Sequence, residues 1–128
     1  VIIRKKIFLL GKRLLHVHGG YLPFYKGSTT NYYSILAENT ISASSLFLNE
    51  YIDSGPVLHR KLFKMPKDLT KFDHIHDNAA RAKVLLETIK NYLDDGSFKQ
   101  IEILDEGEVF YIIHPILKHL AILSNRCQ

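Results

Sequence analysis

Cysteine is almost absent from this 128-residue sequence: the lone Cys127, next to last, can neither close an intramolecular disulfide nor join a cysteine-rich metal cluster. Thiol redox chemistry is not expected. No uninterrupted apolar run approaches the roughly 18 residues of a membrane span, and no charged segment, apolar segment and cleavage site follow one another at the start. The expectation is a cytoplasmic protein without a membrane partner. Charge of one sign does not accumulate either. Lys and Arg number 17 against 13 Asp and Glu, and only Arg4-Lys5-Lys6 forms a basic run of three. The pI near 9.2 therefore reads as solubility rather than as a nucleic-acid surface. What is present, 46% hydrophobic and 23% charged residues, suits one globular domain and excludes disorder, collagen and a disulfide scaffold. Val1 in place of an initiating methionine predicts that a longer polypeptide contains this stretch.

Local patterns predict alternating elements. Ile2, Ile3, Ile7, Leu9 and Leu10 among bases suggest an amphipathic helix within Val1 to Arg13, ended by Gly11. Leu14 to His18 reads as a short buried strand stopped by Gly19-Gly20. Tyr21 to Thr30 reads as an ordered loop whose Ser28, Thr29 or Thr30 caps a helix from about Asn31 to Glu38. Strands are expected over Ser42 to Leu48 and Val57 to Met65, flanking a turn from Asn49 to Pro56. Ile75, Ala79, Ala82, Leu86, Ile89 and Leu93 share one helical stripe, and Asp94-Asp95-Gly96 ends that helix. Ile101 to Leu104 and Val109 to Ile113 predict a β-hairpin, with a short helix from Pro115 onward.

The chemistry-bearing candidates begin with His16 and His18. Alternate positions on a strand send both rings to one face, within reach of one ligand. Such a pair also occurs in zinc sites, but no motif supplies further ligands, so no metal is expected. Gly19-Gly20 permit close backbone approach and non-standard dihedrals directly after the histidines. Asp53, in Ile-Asp-Ser-Gly-Pro, is by itself a turn aspartate of a common kind. His59, His74 and His76 read as surface or helix-start residues.

Together these pieces form two blocks. His16-Val17-His18-Gly19-Gly20-Tyr21-Leu22-Pro23-Phe24-Tyr25-Lys26-Gly27 resembles the folate-dependent formyltransferase motif Asn-x-His-Pro-Ser-Leu-Leu-Pro-x-Tyr-(Arg/Lys)-Gly. Tyr51-Ile52-Asp53-Ser54-Gly55-Pro56-Val57-Leu58 resembles that family's second block, (Gly)-Ile-Asp-Thr-Gly-Pro-Ile-Leu. The blocks stand in the family's order, with His18 and Asp53 35 positions apart. The resemblance implies an α/β fold: a partial Rossmann-like formyltransferase domain with a C-terminal β-hairpin and helix. Residues 1–95 would be the catalytic-domain portion and 96–128 an extension of the same domain. It also implies 10-formyltetrahydrofolate as formyl donor, beside Tyr51, Ile52 and Asp53. His18 matches the family's catalytic histidine, Asp53 its aspartate, and His16 stands where the family has the asparagine of its catalytic trio. An imidazole N–H can donate to an oxyanion, and the carboxylate can hold its tautomer and assist proton transfer. A neutral imidazole at position 16 offers one donor in place of the amide.

The family normally places a βαβ portion of roughly a hundred residues ahead of the first block. These residues do not include it, so unpaired sheet edges and an exposed apolar face are expected, and with them homo-oligomeric association. Lys26, Ser28, Thr29, Tyr32 and Tyr33 combine aromatics, hydroxyls and a lysine, which suits an amino sugar on a nucleotide carrier as the acceptor amine. Either tyrosine could equally serve to pack the helix on the sheet. The alternatives are a methionyl-tRNA formyltransferase, for which a C-terminal barrel domain would be expected, and a non-catalytic binding remnant.

Overall fold

The computed structural model describes residues 3–124, so Cys127 and Val1 lie outside the described residues. Its elements run α1 (Lys5–Phe8), β1 (Leu15–His18), β2 (Tyr25–Gly27), α2 (Thr30–Glu38), β3 (Ile41–Phe47), β4 (Val57–Phe63), a π-helical turn (Phe72–His76), α3 (Asp77–Asp95), β5 (Glu108–Phe110) and α4 (Pro115–Ser124). This is the mixed α/β architecture that the two blocks imply.

β3 organises the fold. It lies between β1 and β4 in a three-stranded antiparallel sheet, with His18 opposite Ser44 and His16 opposite Leu46. The strand Ile-Ser-Ala-Ser-Ser-Leu-Phe alternates poorly because it is buried on both faces. Its serines are small enough to let neighbours approach and bring their own hydrogen bonds. Ser44 Oγ donates to Gly20 O at 2.7 Å and accepts from Leu22 N at 3.0 Å. Ser45 Oγ pairs with Thr88 Oγ1 of α3 at 2.7 Å. These bonds tie the post-histidine loop to one side of β3 and α3 to the other. Deeper burial surrounds them: Tyr32, Ile35, Ile41, Leu69, Phe72 and Ile113 form one cluster, and Leu22, Leu46 and Val57 another.

Four expectations need correction. The first helix has only four residues, Lys5–Phe8, and buries none of them, so no apolar face extends it through Leu9 and Leu10; Ile2 lies outside the described residues. The loop after Gly20 contains a short strand, β2, and Thr29 precedes α2 without a side-chain cap. Thr29 has a left-handed backbone (φ 52°), and its hydroxyl instead donates to Ser28 O and accepts from Ile113 N. The predicted hairpin is also absent: Ile101 and Ile103 pack against Leu22, Leu46 and Val57, while β5 pairs in parallel with β2. Phe110 stacks on Tyr25 and Tyr33, so long-range aromatic packing outweighs the local turn signal.

The fourth concerns α3. The helix forms and ends at Gly96, whose positive φ and N–H to Tyr92 O close its last turn. Its buried face, however, is Ala80, Val84 and Thr88, not the predicted stripe. Leu86 and Leu93 are 63% and 72% exposed, and Ala79, Ala82, Ile75 and Ile89 also face outward. The serine-lined β3 admits the narrower side of the helix, where Thr88 can bond Ser45. The larger apolar side, with Leu86, Ile89 and Leu93, is exposed.

Candidate active site

His18 is the last residue of β1, where strand geometry aims its ring into the interior, and it is 5% exposed. Its Nε2 lies 2.7 Å from Tyr25 O. A carbonyl only accepts, so Nε2 carries the proton, and in the neutral ring Nδ1 holds a lone pair. Asp53 Oδ2 is 3.5 Å from that Nδ1, at the wall of a cavity that both residues line. Asp53 is held in turn by Gly27 N, which donates to Oδ2 at 2.8 Å. Asp53 has a left-handed backbone, φ 46°, and Gly27 has φ 102°, so the turn that presents the carboxylate meets a glycine free to aim its N–H at it.

His16, two residues earlier on the same face, is half-buried and lines the same cavity of about 840 Å3. Ligand atoms of His16, His18 and Asp53 all lie within 4.8 Å of one another. Burial lowers the pKa of both histidines below the ordinary 6.5, against the attraction of Asp53, so both rings are neutral at pH 7. The N–H of His18 is committed to Tyr25, which leaves that ring a proton acceptor toward the cavity rather than an oxyanion donor.

Gly19-Gly20 are explained by space. A Cβ at Gly20 would stand 2.7 Å from Thr30 Oγ1, 2.8 Å from His18 Nε2 and 2.9 Å from Tyr25 O. Neither glycine has a positive φ, so the expected non-standard dihedrals are not used. Thr30 Oγ1 donates to Gly19 O and sits 3.3 Å from His18 Nε2, bracing the ring.

The other expected residues separate into groups. Ser28 and Thr29 line the cavity, as do the exposed Tyr51 and Ile52. Tyr32 borders it but is 2% exposed, donating to Asp73 Oδ1 at 2.7 Å from within the core. Tyr33 lies elsewhere, against Phe110, with its hydroxyl donating to Tyr111 O. Lys26 is on β2 and is not among the cavity's lining residues.

Sequence reasoning missed Asn31, Asp77 and Arg81, which also border the cavity. Asn31 clasps the Ser42 backbone, accepting from its N–H at 2.9 Å and donating to its carbonyl at 3.0 Å, and also donates to Asp77 Oδ1. Arg81 Nε donates to Asp77 Oδ2 at 2.7 Å while its Nη1 reaches Val17 O. The Asp77–Arg81 spacing of one helical turn was the available signal.

No family model and no curated protein sequence matches the chain. Solved structures do. A sugar N-formyltransferase from a Shewanella species superposes with a TM-score of 0.71 at 16% identity, over 98% of this chain and 56% of that one. PseJ of Anoxybacillus kamchatkensis, a formyltransferase solved with UDP-4,6-dideoxy-4-formamido-L-AltNAc and tetrahydrofolate, gives 0.69 at 19% identity, over 87% of this chain and 59% of that one. HypX of Aquifex aeolicus with tetrahydrofolic acid gives 0.63 at 20% identity, over 82% of this chain and 18% of that one. The chain thus spans little more than half the length of the first two of these structures and a smaller share of the third. Over that span its fold is the formyltransferase fold that the two sequence blocks imply.

Proposed function

We propose that the protein transfers a formyl group from 10-formyltetrahydrofolate to the primary amine of an amino sugar carried on a nucleotide. The observation that carries this reading is His18 Nδ1 facing Asp53 across 3.5 Å at the wall of a cavity of about 840 Å3. That volume suits a small-molecule site. The likeness to a structure named as a sugar N-formyltransferase and to PseJ, solved with a formamido sugar on UDP, supports the amino-sugar acceptor.

The acceptor nitrogen attacks the formyl carbon, and its C=O becomes a tetrahedral oxyanion. The neutral His16 ring supplies an N–H to that oxygen. His18 Nδ1 takes the proton released by the attacking nitrogen, and Asp53 stabilises the imidazolium that results. Return of that proton to the folate nitrogen lets the carbon–nitrogen bond to the donor break, leaving the formamide and tetrahydrofolate. Tyr51 and Ile52, exposed beside Asp53, offer an apolar edge to the flat folate ring. Ser28 and Thr29 stand where sugar hydroxyls can be met.

The test is release of tetrahydrofolate and appearance of the formamido sugar when the protein meets the donor and a nucleotide-linked amino sugar. Calorimetry with 5-formyltetrahydrofolate measures the donor site separately. Saturable binding and turnover support the reading. Absence of both from the protein in its longest native form overturns it.

A further inference from the structure

We infer that His16, His18 and Asp53 form a binding site for a divalent first-row transition metal, zinc being the representative ion. Two imidazoles and a carboxylate are a donor set that such ions take, with the open cavity leaving positions for water or an anion.

Three observations converge. The Tyr25 carbonyl fixes the proton of His18 on Nε2, so the lone pair of Nδ1 and the oxygens of Asp53 face each other with no hydrogen between them in the neutral ring. Two acceptors so arranged repel, and a cation between them turns the repulsion into two bonds. Secondly, the partner groups are those that hold metal ligands in place: the far nitrogen of His18 donates to a backbone carbonyl, and Asp53 Oδ2 accepts from Gly27 N. Thirdly, the His16 ring hydrogen-bonds no other side chain or backbone group among the described residues and borders the same cavity as the other two donors.

The dimensions fit with a small movement. Metal–nitrogen bonds of about 2.0–2.1 Å in a tetrahedron separate donor atoms by about 3.3 Å. The His18–Asp53 distance is 3.5 Å and the whole set spans 4.8 Å, so rotation of the half-buried His16 ring is the adjustment needed. Asparagine, which the resembled motif carries at position 16, is a far poorer ligand, so His16 is what completes the set. Metal occupancy would take the lone pair that accepts the amine proton and so inhibit formyl transfer. That consequence rests on the proposed function; the binding does not.

The test uses untagged protein freed of metal by chelation, titrated with Zn2+ in a calorimeter and with Co2+ in an absorption spectrometer. One equivalent should bind, with the intense visible bands of a low-coordinate Co2+ centre. His16→Asn and Asp53→Asn, each checked for native circular dichroism, should weaken binding at least about tenfold, while His59→Gln should leave it unchanged. Undiminished binding in both His16→Asn and Asp53→Asn, no saturable site in the unaltered protein, or equal loss in His59→Gln would overturn the assignment.

Discussion

His18 and His59 each face a carboxylate, and the two regions differ in what the pairing leaves free. On the outer side of β4 and α3, His59 Nε2 meets Glu87 Oε2 at 2.9 Å, and the other oxygen of Glu87 takes Lys61 at 2.6 Å and Lys83 at 3.5 Å. Every charge there is answered by a neighbour, and solvent reaches all of them. In the cavity the pair is looser, 3.5 Å, and buried, and the histidine has spent its one N–H on Tyr25. On the proposed function the looser pair carries the chemistry and the tighter one is structural. Proximity of a histidine to a carboxylate therefore says little about chemistry until the other ring nitrogen and the surrounding charges are accounted for.

Breaking the comparison at the cavity gives the largest expected effect. If the protein transfers formyl groups as proposed, His18→Ala should lower that turnover by about 10²–10⁴-fold, the usual contribution of a positioned base. His59→Ala should leave it within about twofold, as a surface change does. Equal losses in a steady-state assay would show that the two pairs do not differ in role.

A second experiment separates the glycines beside His18. Gly20→Ala puts a methyl group against the Tyr25 carbonyl, which is backbone and cannot step aside. It should cost about 1–3 kcal/mol in denaturant unfolding. Gly19→Ala meets the ends of the Asp77 and Arg81 side chains, which can swing away, so its cost should be smaller. The reverse order would place the steric constraint at the Arg81 side instead of at the histidine.

The smallest effect lies in the outer network. Hydrogen bonds from Lys61 and His59 pull the Glu87 pKa from 4.5 down to about 2. The unfolded chain therefore binds the proton first as pH falls, so the stabilisation is complete above pH 4.5 and is lost on acidification toward about 2. Glu87→Gln should cost less than about 1 kcal/mol near neutrality, because the pair is solvent-screened. It should also flatten the acid limb of a thermal-melting profile against pH. An unchanged acid limb would mean that other carboxylates govern it.

The strands β1, β3 and β4, to within two residues at their ends, the stop at Gly96 and the nearness of His18 to Asp53 were legible because each depends on a local pattern or on motif order. Long-range competition hid the rest. Nothing near residue 84 announces that α3 turns Val84 inward and Leu86 outward; that choice is made by the serines of β3, about forty positions away. The hairpin failed for the same reason, since Phe110 packs on Tyr25 and Tyr33 rather than pairing its strand near residue 103. Asn31 looked like an ordinary helix start, and only the folded chain shows it clasping Ser42.

The left-handed turn at Asp53 has a bearing on how substitutions there should be interpreted. Branched or bulky residues resist that backbone, so most replacements would deform the peptide before any question of acidity arose. Asparagine tolerates the conformation and retains an oxygen for the amide of Gly27, while glycine tolerates it and retains nothing. A complete amino-acid survey of this position thus superimposes two sieves, one of shape and one of charge, and the asparagine variant alone passes the first while keeping the anchor and failing the second.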